Sequence, residues 1–294
     1  MEAPVNQAIK DFDIPKGTIL KGLAKGTLRA VAPFVPFVGA LGVALGVSDV
    51  AKAKDEGLEG EELGVAYLVG PELAKKYSSD LHVLHLTTEK EIALFENIDL
   101  KKKKITCEVC VHHLWFDERD YNSLGNLIVC NPAIKKESDR NALRQALKDG
   151  YIDYVATDHA PHVYEDKKLP YLQAPAGIPL IEHSFQIMIE LHKQGYYTLD
   201  EVISYMSHRV ADRFSIIDRG YVREGYKADL MMFDLDKEIS VANETELTKC
   251  GWTPFDGKTF SSSVTGTIVN GKIIVLDNQL VTDSTSVEKI TFDR

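Results

Sequence analysis

The spacing of apolar and polar positions divides the chain into three stretches of different character. In the first, Lys16, Lys21, Lys25 and Arg29 recur four or five residues apart, and residues 30–47 follow as an uncharged apolar run carrying Pro33, Pro36, Gly39, Gly42 and Gly46. Eighteen residues reach the lower limit for a bilayer span, but the prolines and glycines weaken such a helix. The run reads as a buried helical hairpin, with membrane association of residues 30–47 as the lesser alternative. It is not read as a signal peptide, because it lies far from Met1 and no small-residue cleavage site follows at the usual distance.

From about residue 71 the pattern becomes regular. Residues 81–86 (LHVLHL) read as a strand, and Thr88 with Glu91 forms a capping box that opens a helix through Phe95. Residues 105–111 (ITCEVCV) read as a second strand. A helix over 139–148 places Leu143, Ala146 and Leu147 on one face, and residues 151–158 (YIDYVATD) form a strand tipped by a carboxylate. Helices follow over 180–194 and, from a second capping box at Thr198 and Glu201, through Phe214. Strand alternating with helix builds a parallel sheet, open or closed into a barrel. After Gly220 the pattern turns to β, with strands over 228–235, 264–269 and 272–276, the last two joined by the hairpin dipeptide Asn270-Gly271.

Composition narrows the function classes. A chain of 294 residues with 44% hydrophobic and 27% charged residues can bury a large core, and a net charge of −10 disfavours a nucleic-acid partner. A small-molecule substrate fits better. Four cysteines (107, 110, 130, 250) lack the spacing of a disulfide framework, which points to a reducing cytoplasm. The Cys107-x-x-Cys110 spacing lies within a strand and has no second pair, so a metal or disulfide role ranks low. The run Lys101 to Lys104 reads as a solvated loop. His183, His192 and His208 read as surface or packing residues, and Trp115 and Trp252 as core contacts.

The string Thr157-Asp158-His159-Ala160-Pro161-His162 sets a carboxylate at a strand's C-terminal end, where barrel enzymes place their active sites. His85 ends its own strand comparably, and an imidazole with a carboxylate suits a divalent metal such as zinc. His82 and His85, three apart, point to opposite faces of a strand. The adjacent His112 and His113 after another strand are a third candidate for a metal ligand, although adjacent residues are likewise expected to diverge.

Taken together, HVLHLTTEKE, EVCVHHLWF, NPAIK, DYVATDHAPH, APAGIPLIEHS, REGYKADLMMFDL and KCGWTPFDG resemble the dihydroorotases, cyclic amidohydrolases of pyrimidine synthesis, in their longer, hydantoinase-like type, over about residues 72–275. The resemblance implies a (β/α)8 barrel with two zinc ions and a small β module made by both chain ends. It implies that His85 ligates metal, that Asp158 ligates metal and shuttles the proton, and that Asn131, His162 and the backbone around Ala176 and Gly177 hold the substrate's ring and carboxylate. The implied reaction is reversible opening of dihydroorotate to N-carbamoyl-aspartate. Hydantoinases and allantoinases share this chemistry, and the His112-His113 pair with TDHAPH favours dihydroorotase over them.

The sequence also departs from that family. It holds no His-x-His, and none of its nine histidines precedes residue 82. If His85 ends the sixth barrel strand, five strand-helix units of roughly 30 residues would need about 150 residues before it. The expected organisation is therefore α/β: an atypical helical and apolar segment over 1–71, the C-terminal part of a (β/α)8 amidohydrolase-type barrel over 72–219, and a small β module over 220–294. The assigned ligands suffice for at most one zinc. Three readings stay open: a hydrolase completed by another chain or working with a reduced metal site, a catalytically inactive assembly protein that forms a homo-oligomer or binds a partner chain, and a truncated chimera.

Overall fold

The computed structural model describes residues 30–33, 71, 74–277, 279–281 and 288–293. Its strands, in chain order, are β1 (Ala30–Pro33), β2 (Leu81–Val83), β3 (Ile105–Cys110), β4 (Tyr154–Ala156), β5 (Leu230–Asp234), β6 (Ile239–Ser240), β7 (Thr259–Phe260), β8 (Ser263–Val269), β9 (Lys272–Leu276) and β10 (Gln279–Leu280). The longer or better capped helices are α1 (Glu89–Ile92), α2 (Val111–Trp115), α3 (Glu137–Lys148), α4 (Ser184–Lys193), α5 (Leu199–Ile203) and α6 (Arg209–Arg213). The described residues fall into two compact units, one holding 71–188 and 241–258, the other 30–33, 189–240 and 259–293.

The first unit is built on a parallel sheet in the order β2-β3-β4, with Leu81 opposite Ile105 and Glu108 opposite Tyr154. Parallel strands buried on both faces need crossover helices, and these arise where the sequence signals them. Thr88 and Glu91 form the capping box of α1, which is one turn long and stops at Ile92. Helix α3 buries Leu143, Ala146 and Leu147, the face expected from its periodicity, together with Arg144, whose Nε donates to the Leu114 carbonyl at 2.8 Å. Strand β3 is buried from Thr106 to Cys110.

The lysine run does not stay in solvent as expected. Lys101, Lys102 and Lys104 are exposed, but the Lys103 side chain is only 2% exposed and its Nζ lies 2.7 Å from Asp153 Oδ1, with the Gly150 carbonyl at 2.8 Å. The partner carboxylate sits just before β4 and also accepts the Cys107 backbone N–H at 2.8 Å. A lysine's neighbours in sequence say nothing of this, because the partner is 50 residues away.

The second unit carries the antiparallel sheet β1-β5-β8-β9-β10. Asn270 and Gly271 both have positive φ, 47° and 77°, as a type I′ hairpin requires between β8 and β9. Residues 30–33, expected within a helical hairpin, form instead an edge strand antiparallel to β5; the rest of that apolar run lies outside the described residues. Among the described residues no helix is long and apolar enough to cross a membrane. The stretch from Thr198 to Phe214 is helical as expected, opened by the Thr198–Glu201 capping box, with Ser204–His208 widened to π geometry.

One ion-pair cluster in the first unit makes acid stability testable. Asp117, 2% exposed at its side chain, accepts from Arg119 at 2.6 Å and lies 2.7 Å from Arg140. The bond from Arg119, opposed by burial and aided by the Arg140 charge, holds its carboxyl down at about 2. A depressed folded-state value means that the stabilisation is present above the unfolded carboxylate value and is lost as pH falls toward 2. With the exposed Arg119 screened by solvent, Asp117→Asn is expected to cost about 1–2 kcal/mol at pH 6. Urea melts of the two proteins should converge near pH 2; a gap unchanged by pH would exclude the ion-pair origin.

Candidate active site

Two strand ends carry the same backbone device. His85 lies two residues beyond β2 and Asp158 two residues beyond β4, and both adopt left-handed backbone, φ 39° and 44°. Such conformations are uncommon for residues with a Cβ and cluster where a chain must aim a side chain sharply. The two side chains share one electrostatic neighbourhood. Burial pushes the Asp158 carboxyl up, the charge of His85 opposes that, and the charge of Glu108 adds to it.

The expected substrate-side residues lie on three loop stretches, at 131, 162 and 176–177, that hydrogen bonds tie together. The Asn131-Pro132 peptide is cis, and Gly177 donates its N–H to the Val129 carbonyl at 2.9 Å, two residues before Asn131. His162 bonds through Nε2 to the Ala176 carbonyl at 2.9 Å, so this nitrogen carries the proton. Gly177 has φ 148°, and a Cβ there would overlap the Ala160 carbonyl oxygen and lie 2.8 Å from His162 Cδ2 and Nε2. Only glycine fits this approach. Gly177→Ala is expected to cost about 1–3 kcal/mol in urea unfolding; an unchanged midpoint would show that the loop has room to retreat.

Sequence reasoning missed the residue that clamps these loops. Lys167 is 1% exposed, and its Nζ donates to the carbonyls of Val129 (3.1 Å), Pro175 (2.9 Å) and Gly177 (2.9 Å). Its ammonium also faces the Trp252 ring, 5.8 Å from the centroid, and Trp252 Nε1 donates to the His162 carbonyl at 2.7 Å. Trp252 is thus the core contact expected, with a polar handle. Next to the same turn, His159 Nδ1 accepts from the backbone N–H groups of Leu180 and Ile181 at 3.1 and 3.2 Å; burial pushes that imidazole down, toward the neutral form that can accept.

A polar network lines one face of the parallel sheet. Tyr154 Oη donates to Glu108 Oε2 at 2.6 Å, His82 Nε2 lies 3.2 Å from the same oxygen, and His82 Nδ1 lies 2.8 Å from Thr106 Oγ1. The alternation of β3 places Thr106, Glu108 and Cys110 on this side and Cys107 on the other. All four cysteines are free, so Cys107 and Cys110 form no disulfide, for that same geometric reason. His112 and His113 do not diverge. They begin a helix rather than extend a strand, and their rings meet at 4.0 Å between centroids. Consecutive helical residues differ by roughly 100° in direction, close enough for two long rings to touch. Of the two readings of His183 the packing one holds: it is buried and paired with Glu246 at 2.8 Å.

This combination sets residues just beyond the C-terminal ends of parallel strands beside loops closed by backbone bonds, the place where α/β barrels carry their sites. Residues 74–274 match the Amidohydrolase family, and the chain belongs to that family. It is 34% identical over 210 residues to the dihydroorotase of Bacillus pumilus, covering 71% of this chain and 49% of that protein, and 35% identical over 191 residues to the dihydroorotase of Ehrlichia chaffeensis, covering 65% and 42%. The chain spans about half the length of the curated relatives it matches. Among solved structures it resembles the L-hydantoinase (dihydropyrimidinase) of Arthrobacter aurescens with TM-score 0.69 at 23% identity, covering 75% of this chain and 50% of that one. It also resembles the dihydropyrimidinase of Brevibacillus agri, TM-score 0.71 at 23% identity, covering 80% and 53%. The fold is therefore that of the amidohydrolases, an α/β barrel present here in part, as the strand-helix alternation leads one to expect.

Proposed function

We propose that this chain carries the metal and proton-transfer residues of a dihydroorotase-type cyclic amidohydrolase, acting on dihydroorotate and N-carbamoyl-aspartate in pyrimidine synthesis in the cytoplasm. The observation that carries the reading is the pair His85 and Asp158, both in left-handed backbone just beyond parallel strands and electrostatically in touch. The dihydroorotase relatives at 34% and 35% identity support the choice of substrate.

The pair suits the metal that the family implies. A neutral imidazole and a carboxylate are the nitrogen and oxygen donors zinc accepts, and the partly buried setting of Asp158 suits a carboxylate that a cation would hold ionised. His85 and Asp158 would hold one divalent ion, which supplies Lewis-acid charge and makes water a usable nucleophile near neutral pH. A catalytic zinc takes three protein ligands, so these two leave a third to be found.

Asp158 does the proton work. Its carboxylate accepts a proton from the attacking water as the C–O bond forms at the ring carbonyl, and returns it to the ring nitrogen as the C–N bond breaks. In ring closure the same carboxylate takes the proton from the carbamoyl nitrogen and returns it to the departing water. Asn131, His162 and the backbone at Ala176 and Gly177 orient the ring and its carboxylate, and Lys167 keeps their loops together. The organisation into segments 1–71, 72–219 and 220–294 and a homo-oligomeric or partner-completed assembly belong to the same proposal.

The test measures bound metal and turnover of dihydroorotate on the purified chain. About one zinc held by His85 and Asp158, lost from Asp158→Ala protein, with measurable ring opening is expected. Metal-loaded protein that opens hydantoin but not dihydroorotate would overturn the substrate, and metal-loaded protein that opens neither would overturn the catalytic reading.

A further inference from the structure

The turn that follows β3 carries a second group of donors that the chemistry above does not use. Cys110 is the last residue of β3 and the N-cap of α2, with His112 and His113 in that helix's first turn. Their exposures are 0%, 1% and 3%. One ligand atom from each, the thiol sulfur and a nitrogen of each imidazole, lies within 4.8 Å of the others.

Among the described residues, three of the four imidazole nitrogens of His112 and His113 have no hydrogen-bond partner. His113 Nε2 lies 3.0 Å from the Pro132 carbonyl, so it bears the proton and donates, and Nδ1 keeps its lone pair. That Nδ1 is buried and makes no hydrogen bond, and neither does either nitrogen of His112. Buried polar atoms without partners are rare because each forfeits its bonds to water, at about 1–3 kcal/mol apiece. Three such atoms on two touching imidazoles need an explanation. An imidazole whose far nitrogen donates to a backbone carbonyl is the usual posture of a metal ligand, which the carbonyl both orients and makes more basic.

We propose that Cys110, His112 and His113 form a zinc-type cation site adjoining the His85–Asp158 pair, with the Cys110 thiolate and one nitrogen of each imidazole as ligands. Thiolate with two imidazoles is a donor set that zinc favours over magnesium or calcium. Burial pushes both imidazoles down, His113 to about 3, so they stay neutral with lone pairs available. The same burial, together with the negative charges of Glu108 and Asp158, pushes the thiol up; those charges favour a cation, and on binding the thiol proton leaves to solvent. Cys107, on the far side of β3, takes no part.

Cobalt(II) is the probe, because a thiolate ligand adds a sulfur-to-cobalt charge-transfer band that imidazoles and carboxylates do not. The full chain, stripped by chelator, is titrated with cobalt and then with zinc. The expected result is that band saturating at one cobalt per chain, displaced by zinc, absent in Cys110→Ser, retained in Cys130→Ser and in Asp158→Asn, and shifted at least tenfold in cobalt affinity by His113→Gln. Absence of the band in the wild-type chain, or its survival in Cys110→Ser, overturns the site. If Cys110→Ser does not fold by circular dichroism, His112→Gln decides: unchanged affinity and band position overturn the proposal. The readout does not involve turnover, so this site and the dihydroorotase reading can fail independently.

Discussion

Asp158→Asn is expected to lower turnover of dihydroorotate by about 10²–10⁴-fold, the range over which a positioned acid or base accelerates a reaction. The amide keeps the shape of the carboxylate but can neither accept the water's proton nor return it to the ring nitrogen. The left-handed backbone at Asp158 tolerates asparagine better than other residues, so the substitution isolates chemistry from strain. Folding is therefore expected to survive, and a urea midpoint close to wild type with activity lost would assign the loss to proton transfer. Activity within threefold of wild type would remove Asp158 from that role. A midpoint that collapses along with activity would show that the carboxylate mainly holds the loop.

The largest effect on stability is expected at Lys103 and Asp153. Both side chains are almost fully buried and 2.7 Å apart, and removing one partner leaves the other as an uncompensated charge, at a cost of about 3–5 kcal/mol. Asp153→Ala and Lys103→Met should each fall in that range. The double variant Lys103→Met, Asp153→Leu should recover most of the loss, because an apolar pair of similar volume is often no worse than a buried ion pair. It should not recover all of it. Asp153 also accepts the Cys107 N–H, and the orphaned donor keeps about 1–3 kcal/mol of the penalty. Urea midpoints at constant m decide the matter; single variants costing under 1 kcal/mol would mean that water reaches the pair.

What could be read from the sequence follows the range of the interactions involved. The two capping boxes, Thr88 with Glu91 and Thr198 with Glu201, formed where three-residue spacing put them. The apolar face of α3 and the Asn270-Gly271 turn needed no information beyond a few neighbours. His85 and Asp158 are legible because a polar residue at the end of an apolar strand-like run is itself a local signal. By contrast, Lys103 reads as part of a solvated run, and His112 and His113 read as diverging neighbours. The partner of Lys103 is 50 residues along the chain, and the backbone at His112 and His113 is helical instead of extended.

The sequence by itself determined the α/β alternation, the starts of the two helices opened by capping boxes, the β8–β9 hairpin and the strand-end residues that point to amidohydrolase chemistry. These depend on backbone preferences and on side chains within about four residues of one another. Only the tertiary structure decided that Glu108, Tyr154 and His82 share one network, that Lys167 ties three carbonyls together, that residues 30–33 pair with β5, and that Cys110, His112 and His113 converge in a buried pocket of donors. Those arrangements depend on strand register, and a shift of one residue would send Glu108 and Cys110 to the opposite face. Register is settled by the burial and pairing of whole strands at once, which no local run of residues encodes.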